Sequence, residues 1–343
     1  MPEKPRKQAI EEGPTPALRD LRIHLVNTPD IAAYWFEPQR LRKQVVAAVQ
    51  GRLPITVTVS GDPADVPAAM LAAHVVVGFN VPARRMGELP DLRWIHLVSA
   101  GLDHLLPLDW LPPGVVLTNS RGVHAELAGQ YGAAALLMLN LRMPAHASNQ
   151  RHGHWDQVFN SSIAGKTVVL VGLGAIGGSV ARQAKRLGLR VLGVRRSRRP
   201  HPHVDRVLGP DELPDVLPRA DFVVVTAPLT PETRHLLGGK ALDCLKPGAG
   251  LVNMSRAGLV DYEALARKLE AGELVGAIID VCDPEPLPAN SPLWHTRNLF
   301  ITPHISSDPV DYVERMTRIF LDNVRRLLGG RPLRNRVVPA RGY

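Results

Sequence analysis

Between Thr167 and Leu187 an apolar run, Thr167-Val-Val-Leu-Val171, meets three spaced glycines, Gly172, Gly174 and Gly177, and then a helical pattern. Few stretches this short constrain a fold so strongly. Glycine at the first position permits a tight turn, at the second a close approach by a pyrophosphate, and at the third close packing of helix on strand. The helix N-terminus that follows offers unpaired N–H groups to phosphates. The run is therefore read as a dinucleotide turn, with Gly172, Gly174, Ala175, Ile176 and Gly177 around the phosphates. Sites that prefer NAD carry an acid at the end of the second strand, where it accepts hydrogen bonds from ribose hydroxyls. Here the strand Arg190–Val194 runs into Arg195-Arg196-Ser197, with no acid. Those residues suit a 2′-phosphate, so the expected cofactor is NADP, with NAD as the second choice.

The glycine run sits inside a longer alternation. Strands are expected at Leu21 to Val26, Ile55 to Val59, Val75 to Phe79, Ile95 to Val98 and Val115 to Thr118, with helices at Pro38 to Val49 and Pro63 to Ala73. A long apolar helix from His124 to Leu141 follows. A second block has strands at Thr167 to Val171, Arg190 to Val194, Phe222 to Thr226, Gly250 to Met254, Gly276 to Val281 and Leu299 to Ile301. Six is the strand number of a complete doubly wound dinucleotide fold, and such alternation implies parallel sheets. A terminal helix, Pro309 to Leu328, stops at Gly329-Gly330.

At 343 residues the chain exceeds one ordinary core and predicts two domains. Its 45% apolar content and mean hydropathy near zero describe a soluble protein, and no apolar run reaches the ~20 residues of a membrane span. The N-terminus lacks the apolar core of an export signal, and two cysteines without C-x-x-C spacing form no disulfide framework. A cytoplasmic protein is expected, with residues 1 to 18 as a disordered tail. A net charge of +9 raises nucleic acid as a partner. The basic residues, however, are nearly all arginine, scattered along the chain, and their one dense cluster, Arg195 to Arg199, falls where a cofactor phosphate would sit. Neither nucleic acid nor membrane is expected as a partner. The H-x-H pairs His152/His154 and His201/His203 lack recognisable further ligands, so no metal is expected.

Ligands of open α/β sheets bind beyond the carboxyl ends of the strands. That rule selects Arg256 after the fourth strand of the second block, Glu285 after the fifth and His304 after the sixth. Together they suit a carbonyl beside a carboxylate. A guanidinium binds such a group through paired hydrogen bonds and stabilises charge growing on the carbonyl oxygen. A histidine moves the proton, and a glutamate beside it favours the imidazolium.

With these residues identified, the chain resembles the D-isomer-specific 2-hydroxyacid dehydrogenases. The likeness rests on Gly172-Leu-Gly-Ala-Ile-Gly177, Ala227-Pro-Leu-Thr-Pro-Glu-Thr233, Leu251-Val-Asn-Met-Ser-Arg256, Asp280-Val-Cys-Asp-Pro-Glu-Pro-Leu287 and Thr302-Pro-His304. Upstream, Ser99-Ala-Gly-Leu-Asp103 and Asn119-Ser-Arg-Gly-Val-His-Ala-Glu126 also match. The resemblance implies a Rossmann-type domain over 121–307. It also implies a flavodoxin-like α/β substrate domain discontinuous in sequence, over 19–120 and 308–343. It makes Arg256 the residue that orients a small 2-oxo acid, His304 the acid/base, and Glu285 its partner. It gives Ala100 and Gly101 backbone N–H groups for the substrate carboxylate, and Asp280 a contact to the nicotinamide carboxamide. Ala227, Pro228, Thr233, Met254, Ser255 and His304 join the cofactor contacts. A homodimer is implied. Arg121 and His124 are candidates for specificity, and Trp155 and Trp294 for the walls of a cleft.

Two departures stand out. Alanine, Ala257, follows the arginine where the family usually has glycine; if that position requires positive φ, alanine costs about 1 kcal/mol. Arg195 stands where the ribose-binding acid usually does, as in members resembling glyoxylate/hydroxypyruvate reductases that use NADPH. Formate enzymes on this scaffold carry glutamine in place of Glu285, and phosphite enzymes a lysine in the loop at Ala100; neither feature is present. Proteins of the scaffold that act as dinucleotide-sensing corepressors keep the same Arg/Glu/His set and stand as the non-enzymatic alternative.

Overall fold

Runs such as Val75-Val-Val-Gly78 and Phe222-Val-Val-Val225 have no polar side to turn to water, and every residue in both is buried. Strands of this kind belong in parallel sheets covered on both faces. The computed structural model describes residues 18–27, 35–62, 65–307 and 309–339. Within it the chain divides into two compact units, one of residues up to Val123 together with those from Val310, the other His124–Pro309.

The first unit contains β1 (Leu21–Val26), α1 (Pro38–Ala48), β2 (Ile55–Ser60), α2 (Ala68–Leu71), β3 (Val75–Gly78), β4 (Trp94–Leu97), β5 (Val116–Thr118) and the C-terminal helix Tyr312–Leu328. Its five strands are parallel and ordered β2-β1-β3-β4-β5, the flavodoxin-like arrangement. Glu37 caps α1 by accepting from the N–H groups of Gln39 and Arg40, and Pro38 takes the first turn, where its missing donor costs nothing. The C-terminal helix buries Tyr312, Met316, Phe320 and Val324, a single stripe at four-residue spacing. Phe320 stacks on Trp94 of β4 at 5.0 Å between ring centres.

The second unit holds α3 (Ala125–Asn140), α4 (Met143–Arg151), β6 (Thr167–Val171), α5 (Ala175–Arg186), β7 (Arg190–Val194), β8 (Arg206–Leu208), α6 (Leu213–Val216), β9 (Phe222–Val225), α7 (Gly239–Asp243), β10 (Ala249–Asn253), α8 (Tyr262–Glu270), β11 (Leu274–Ile279) and β12 (Leu299–Ile301). The parallel sheet runs β12-β11-β10-β9-β6-β7-β8. Strand order reverses between β6 and β9, and the crevice beyond their carboxyl ends is where such sheets bind ligands.

Three expectations are corrected. The second sheet has seven strands rather than six, because β8 is a three-residue edge strand with one buried residue, Leu208. So short a stretch shows no periodicity. Of the helix expected over Pro63 to Ala73, residues 63 and 64 lie outside the described residues, and the rest is helical only over Ala68–Leu71, after Pro67 at the N-cap. The apolar helix ends at Asn140, and Arg142 in the left-handed region starts α4, which sequence reasoning missed. The expected tail lies almost wholly outside the described residues. No described helix is long and apolar enough to cross a membrane.

Candidate active site

The turn from β6 into α5 is shaped by glycine for steric reasons. Gly172 has φ +105°, and a Cβ there would lie 2.5 Å from the Ala227 nitrogen; one on Gly177 would lie 2.2 Å from the Gly172 carbonyl oxygen. A Cβ on Gly174, by contrast, would meet nothing within 4 Å, so the backbone at the mouth of α5 is open to a close neighbour. The walls of this crevice are tied to each other. Ser255 Oγ donates to the Ala227 carbonyl, and Thr233 Oγ1 donates to the Pro228 carbonyl at 2.7 Å while accepting from the Thr230 N–H. Met254 is buried at the end of β10. Ala175 and Ile176 form the first turn of α5.

Arg195, Arg196 and Ser197 follow β7 directly. Arg195 donates from Nη2 to the carbonyls of Arg199 and Pro200, the latter at 3.2 Å, and its Nε is buried without a hydrogen-bond partner. A buried guanidinium N–H left unsatisfied is costly, and an anion would satisfy it. An open glycine turn beside an orphaned arginine donor fits a dinucleotide with a further phosphate.

Beyond the carboxyl ends of β10, β11 and β12 the three candidate catalytic side chains come together. His304 shares a hydrogen bond through Nδ1 with Glu285 Oε2 at 2.8 Å, and Glu285 Oε1 accepts from the Cys282 N–H at 2.8 Å. The His304 Nε2 has no partner among the described residues. Burial by itself would raise the Glu285 carboxyl. The His304 and Cys282 hydrogen bonds, with the charges of His304 and Arg256, outweigh it and hold the group below the ordinary carboxylate range. His304 has φ +54°, a conformation seldom adopted by residues with a side chain and often found at functional sites.

That conformation is held by Asp280, which is 1% exposed. Its Oδ1 accepts from Thr302 Oγ1 at 2.6 Å and from the Ile305 N–H at 2.8 Å, and its Oδ2 accepts from the Ser306 N–H at 2.9 Å. Three bonds leave one of about four acceptor positions for anything else. Tyr131 on α3 closes the chain of contacts through its hydroxyl at 2.7 Å from Thr302 Oγ1, and burial pushes its phenol up to about 12. Arg256 is fixed by a similar device. The fully buried Asn253 donates from Nδ2 to the Arg256 carbonyl at 3.0 Å and to the Tyr262 hydroxyl at 2.9 Å, and Tyr262 in turn donates to the Val281 carbonyl. Arg256 Nη1 donates to the Ser255 carbonyl at 2.8 Å. Ala257 begins a 3-10 turn and lies outside the left-handed region, so alanine there carries no backbone strain.

Tyr131 and Tyr262 were not singled out from sequence, and Asn253 and Thr302, within the segments quoted at the strand ends, were given no role. Their positions are 171 residues apart in one pair and nine in the other, and no local pattern announces such partners. Trp155 is 95% exposed, and Trp294 donates to the Pro288 carbonyl. His124 bonds through Nδ1 to the Ser307 carbonyl. In the first unit, Asn119 Nδ2 donates to the Ala100 carbonyl at 2.7 Å and Ser99 Oγ to that of Gly101 at 2.6 Å. The N–H groups of Ala100 and Gly101 find no acceptor among the described residues. Arg121, nearby in sequence, has its carbonyl held by Asn335.

Residues 133–306 match the family described as D-isomer specific 2-hydroxyacid dehydrogenase, NAD binding domain. The chain belongs to this family. As a dehydrogenase of this kind it is a nicotinamide-dependent oxidoreductase of 2-hydroxy acids. A glyoxylate reductase of Thermofilum pendens is 32% identical over 260 residues, 73% of this chain and 76% of the relative. A D-isomer specific 2-hydroxyacid dehydrogenase of Xanthobacter autotrophicus, solved in complex with NADPH and MES, superposes with TM-score 0.76 at 29% identity, covering 94% of this dehydrogenase and 99% of the other chain. An NADPH-dependent glyoxylate/hydroxypyruvate reductase of Sinorhizobium meliloti, in complex with NADP and sulfate, gives TM-score 0.74 at 25% identity, with 94% and 99% coverage.

Proposed function

We propose that this dehydrogenase reduces a small 2-oxo acid to the D-2-hydroxy acid with NADP(H), and that Arg256, Glu285 and His304 perform the reaction. The observation that carries this reading is the Glu285–His304 pair, with Nδ1 committed to the carboxylate and Nε2 unspent. The nicotinamide, when bound, supplies the hydride. Arg256 binds the substrate carboxylate and carbonyl oxygen and stabilises charge growing on that oxygen. His304 delivers a proton to the same oxygen from Nε2, and the ionised Glu285 holds the imidazolium in orientation. The unbonded N–H groups of Ala100 and Gly101 suit the carboxylate end of the substrate.

Gly172, Gly174, Ala175, Ile176 and Gly177 would line the pyrophosphate. Ala227, Pro228, Thr233, Met254, Ser255 and Asp280 would line the rest of the dinucleotide. Arg195, Arg196 and Ser197 would meet the 2′-phosphate. Residues 19–120 and 308–343 are assigned to substrate and 121–307 to the dinucleotide. The exposed Trp155 and Phe159, at 95% and 90%, support a homodimer that covers them. Two unpaired cysteines, Cys244 and Cys282, are consistent with the cytoplasm.

The test is NADPH oxidation with glyoxylate, hydroxypyruvate, pyruvate and bulkier 2-oxo acids, with the product's configuration determined by chiral chromatography. Turnover to a D-hydroxy acid with at least one substrate is expected. Failure across the panel, with intact NADPH binding, would overturn the reductase reading in favour of a dinucleotide-sensing role. Equal or better efficiency with NADH would overturn the choice of cofactor.

A further inference from the structure

Thr302 stands two residues before His304, and all of its polar groups are spent. Its N–H donates to the Ile279 carbonyl at 2.9 Å, extending the pairing of β12 on β11, and its carbonyl accepts from the His304 N–H at 3.0 Å. The second bond closes Thr302, Pro303 and His304 into one three-residue turn, so the backbone of His304 follows any rotation at Thr302. Pro303 adds stiffness, because its ring fixes φ. His304 meanwhile sits at φ +54°, a conformation that persists only where the surroundings impose it.

The Thr302 side chain has one hydrogen to give. Asp280 Oδ1, which also accepts from the Ile305 N–H, takes it at 2.6 Å. Thr302 Oγ1 therefore meets the Tyr131 hydroxyl, 2.7 Å away, as an acceptor, and Tyr131 is the donor. Burial, with the Asp280 charge, pushes the Tyr131 phenol up to about 12 against the opposing effect of the Thr302 bond, so the donated proton is present at neutral pH. Thr302 is the one hydrogen-bond partner of the Tyr131 hydroxyl among the described residues. The Tyr131 ring packs against the core layer that holds Val252, Met254 and Ile278, which fixes the point from which the hydroxyl reaches out. Two partners on different elements, α3 and the end of β11, hold the Thr302 hydroxyl in a single rotamer.

We propose that Tyr131 is a positioning residue for His304, acting through the Thr302 hydroxyl. The inference rests on the reading of His304 as acid/base and adds to it a side chain on α3, 171 positions from Thr302. Asp280 holds the turn from one side and Tyr131 from the other.

Tyr131→Phe keeps the ring in its layer and removes one oxygen. With NADPH and the 2-oxo acid that the parent turns over fastest, kcat should fall about tenfold, while KM and NADPH affinity stay within about twofold. The solvent isotope effect on kcat should exceed the parent's, because a loosely aimed His304 delivers its proton more slowly relative to the other steps. Thr302→Ser, which keeps a hydroxyl, should lose less than Thr302→Val. Adding Tyr131→Phe to Thr302→Val should cost less than about twofold further, since the acceptor is already gone. A Tyr131→Phe protein with the parent's kcat overturns the proposal. So does one whose loss lies in NADPH affinity, or one whose effect multiplies in full with that of Thr302→Val. Parent-like turnover in His304→Ala overturns the acid/base reading itself, and Tyr131 with it, whereas a loss in His304→Ala but not in Tyr131→Phe overturns the role of Tyr131 alone.

Discussion

His24 and His96 lie inside the first sheet with no exposed surface, whereas His304 stands beyond the end of a strand in the second, its side chain 42% exposed. The partners differ as much as the depth. His24 sits between Thr58 Oγ1 at 2.8 Å and Ser60 Oγ at 3.1 Å, and His96 between Thr118 Oγ1 at 2.8 Å and Ser120 Oγ at 3.3 Å. His304 has a carboxylate. Hydroxyls satisfy a neutral ring but do little for a cation. Burial accordingly pushes His24 down to about 4, against a small opposing effect of Asp65, and His96 down to about 3. The same residue type is thus a fixed part of one sheet and, in the proposed reaction, the group that would move the proton on the other. Strand position and a single acid make the difference.

The comparison can be broken first at His304. His304→Ala should lower kcat about a thousandfold while NADPH affinity, measured by fluorescence titration, stays within about threefold. His96→Ala should act on stability and leave that chemistry alone, so a comparable loss of kcat in a folded His96 variant would erase the contrast. Next in size is Asp280→Ala, which strands the Thr302 hydroxyl and two backbone N–H groups in a buried place. A loss of about 3 kcal/mol in denaturant unfolding is expected, together with lower kcat, because the 302–306 turn that aims His304 loses its anchor. Unchanged stability would mean the turn holds itself.

Acid then separates the two sheets. For His24 and His96 the folded pKa lies below the unfolded value near 6.5, so the unfolded chain binds more protons between them. Their contribution is complete above pH 6.5. It is lost as pH falls toward 4 for His24 and 3 for His96, at about 1.4 kcal/mol per pH unit for each. Protection factors of the β1 and β4 amides, which remove the intrinsic pH dependence of exchange, should therefore fall below pH 6.5, and His96→Gln should reduce the slope. Protection factors that are flat between pH 6.5 and 4.5 would contradict the buried neutral state. The smallest effect is expected from Glu285→Gln. The amide keeps a hydrogen bond to His304 but not the charge, so kcat should fall about tenfold, with little change in stability.

Much of this was legible in the amino-acid order. Gly172 and Gly177 specify their turn because the contacts they avoid, with Ala227 and with Gly172 itself, arise where the strand enters the helix this tightly. The buried strands are visible as apolar runs, and the rule that ligands meet strand ends was enough to select Arg256, Glu285 and His304. Where local signal is absent, the reading failed. β8 buries one side chain, and α4 begins at a left-handed arginine that ends the helix before it.

Order along the chain determined the two-block α/β plan, the dinucleotide turn and the residue types at the strand ends, because each depends on neighbours a few positions apart. What the tertiary structure alone decided is how those residues are held. Asp280 grips the turn that presents His304, Tyr131 reaches Thr302 across 171 positions, and His201 comes to rest on Gly178. Hydrogen bonds and close contacts of this kind depend on distances in space, which sequence separation does not record.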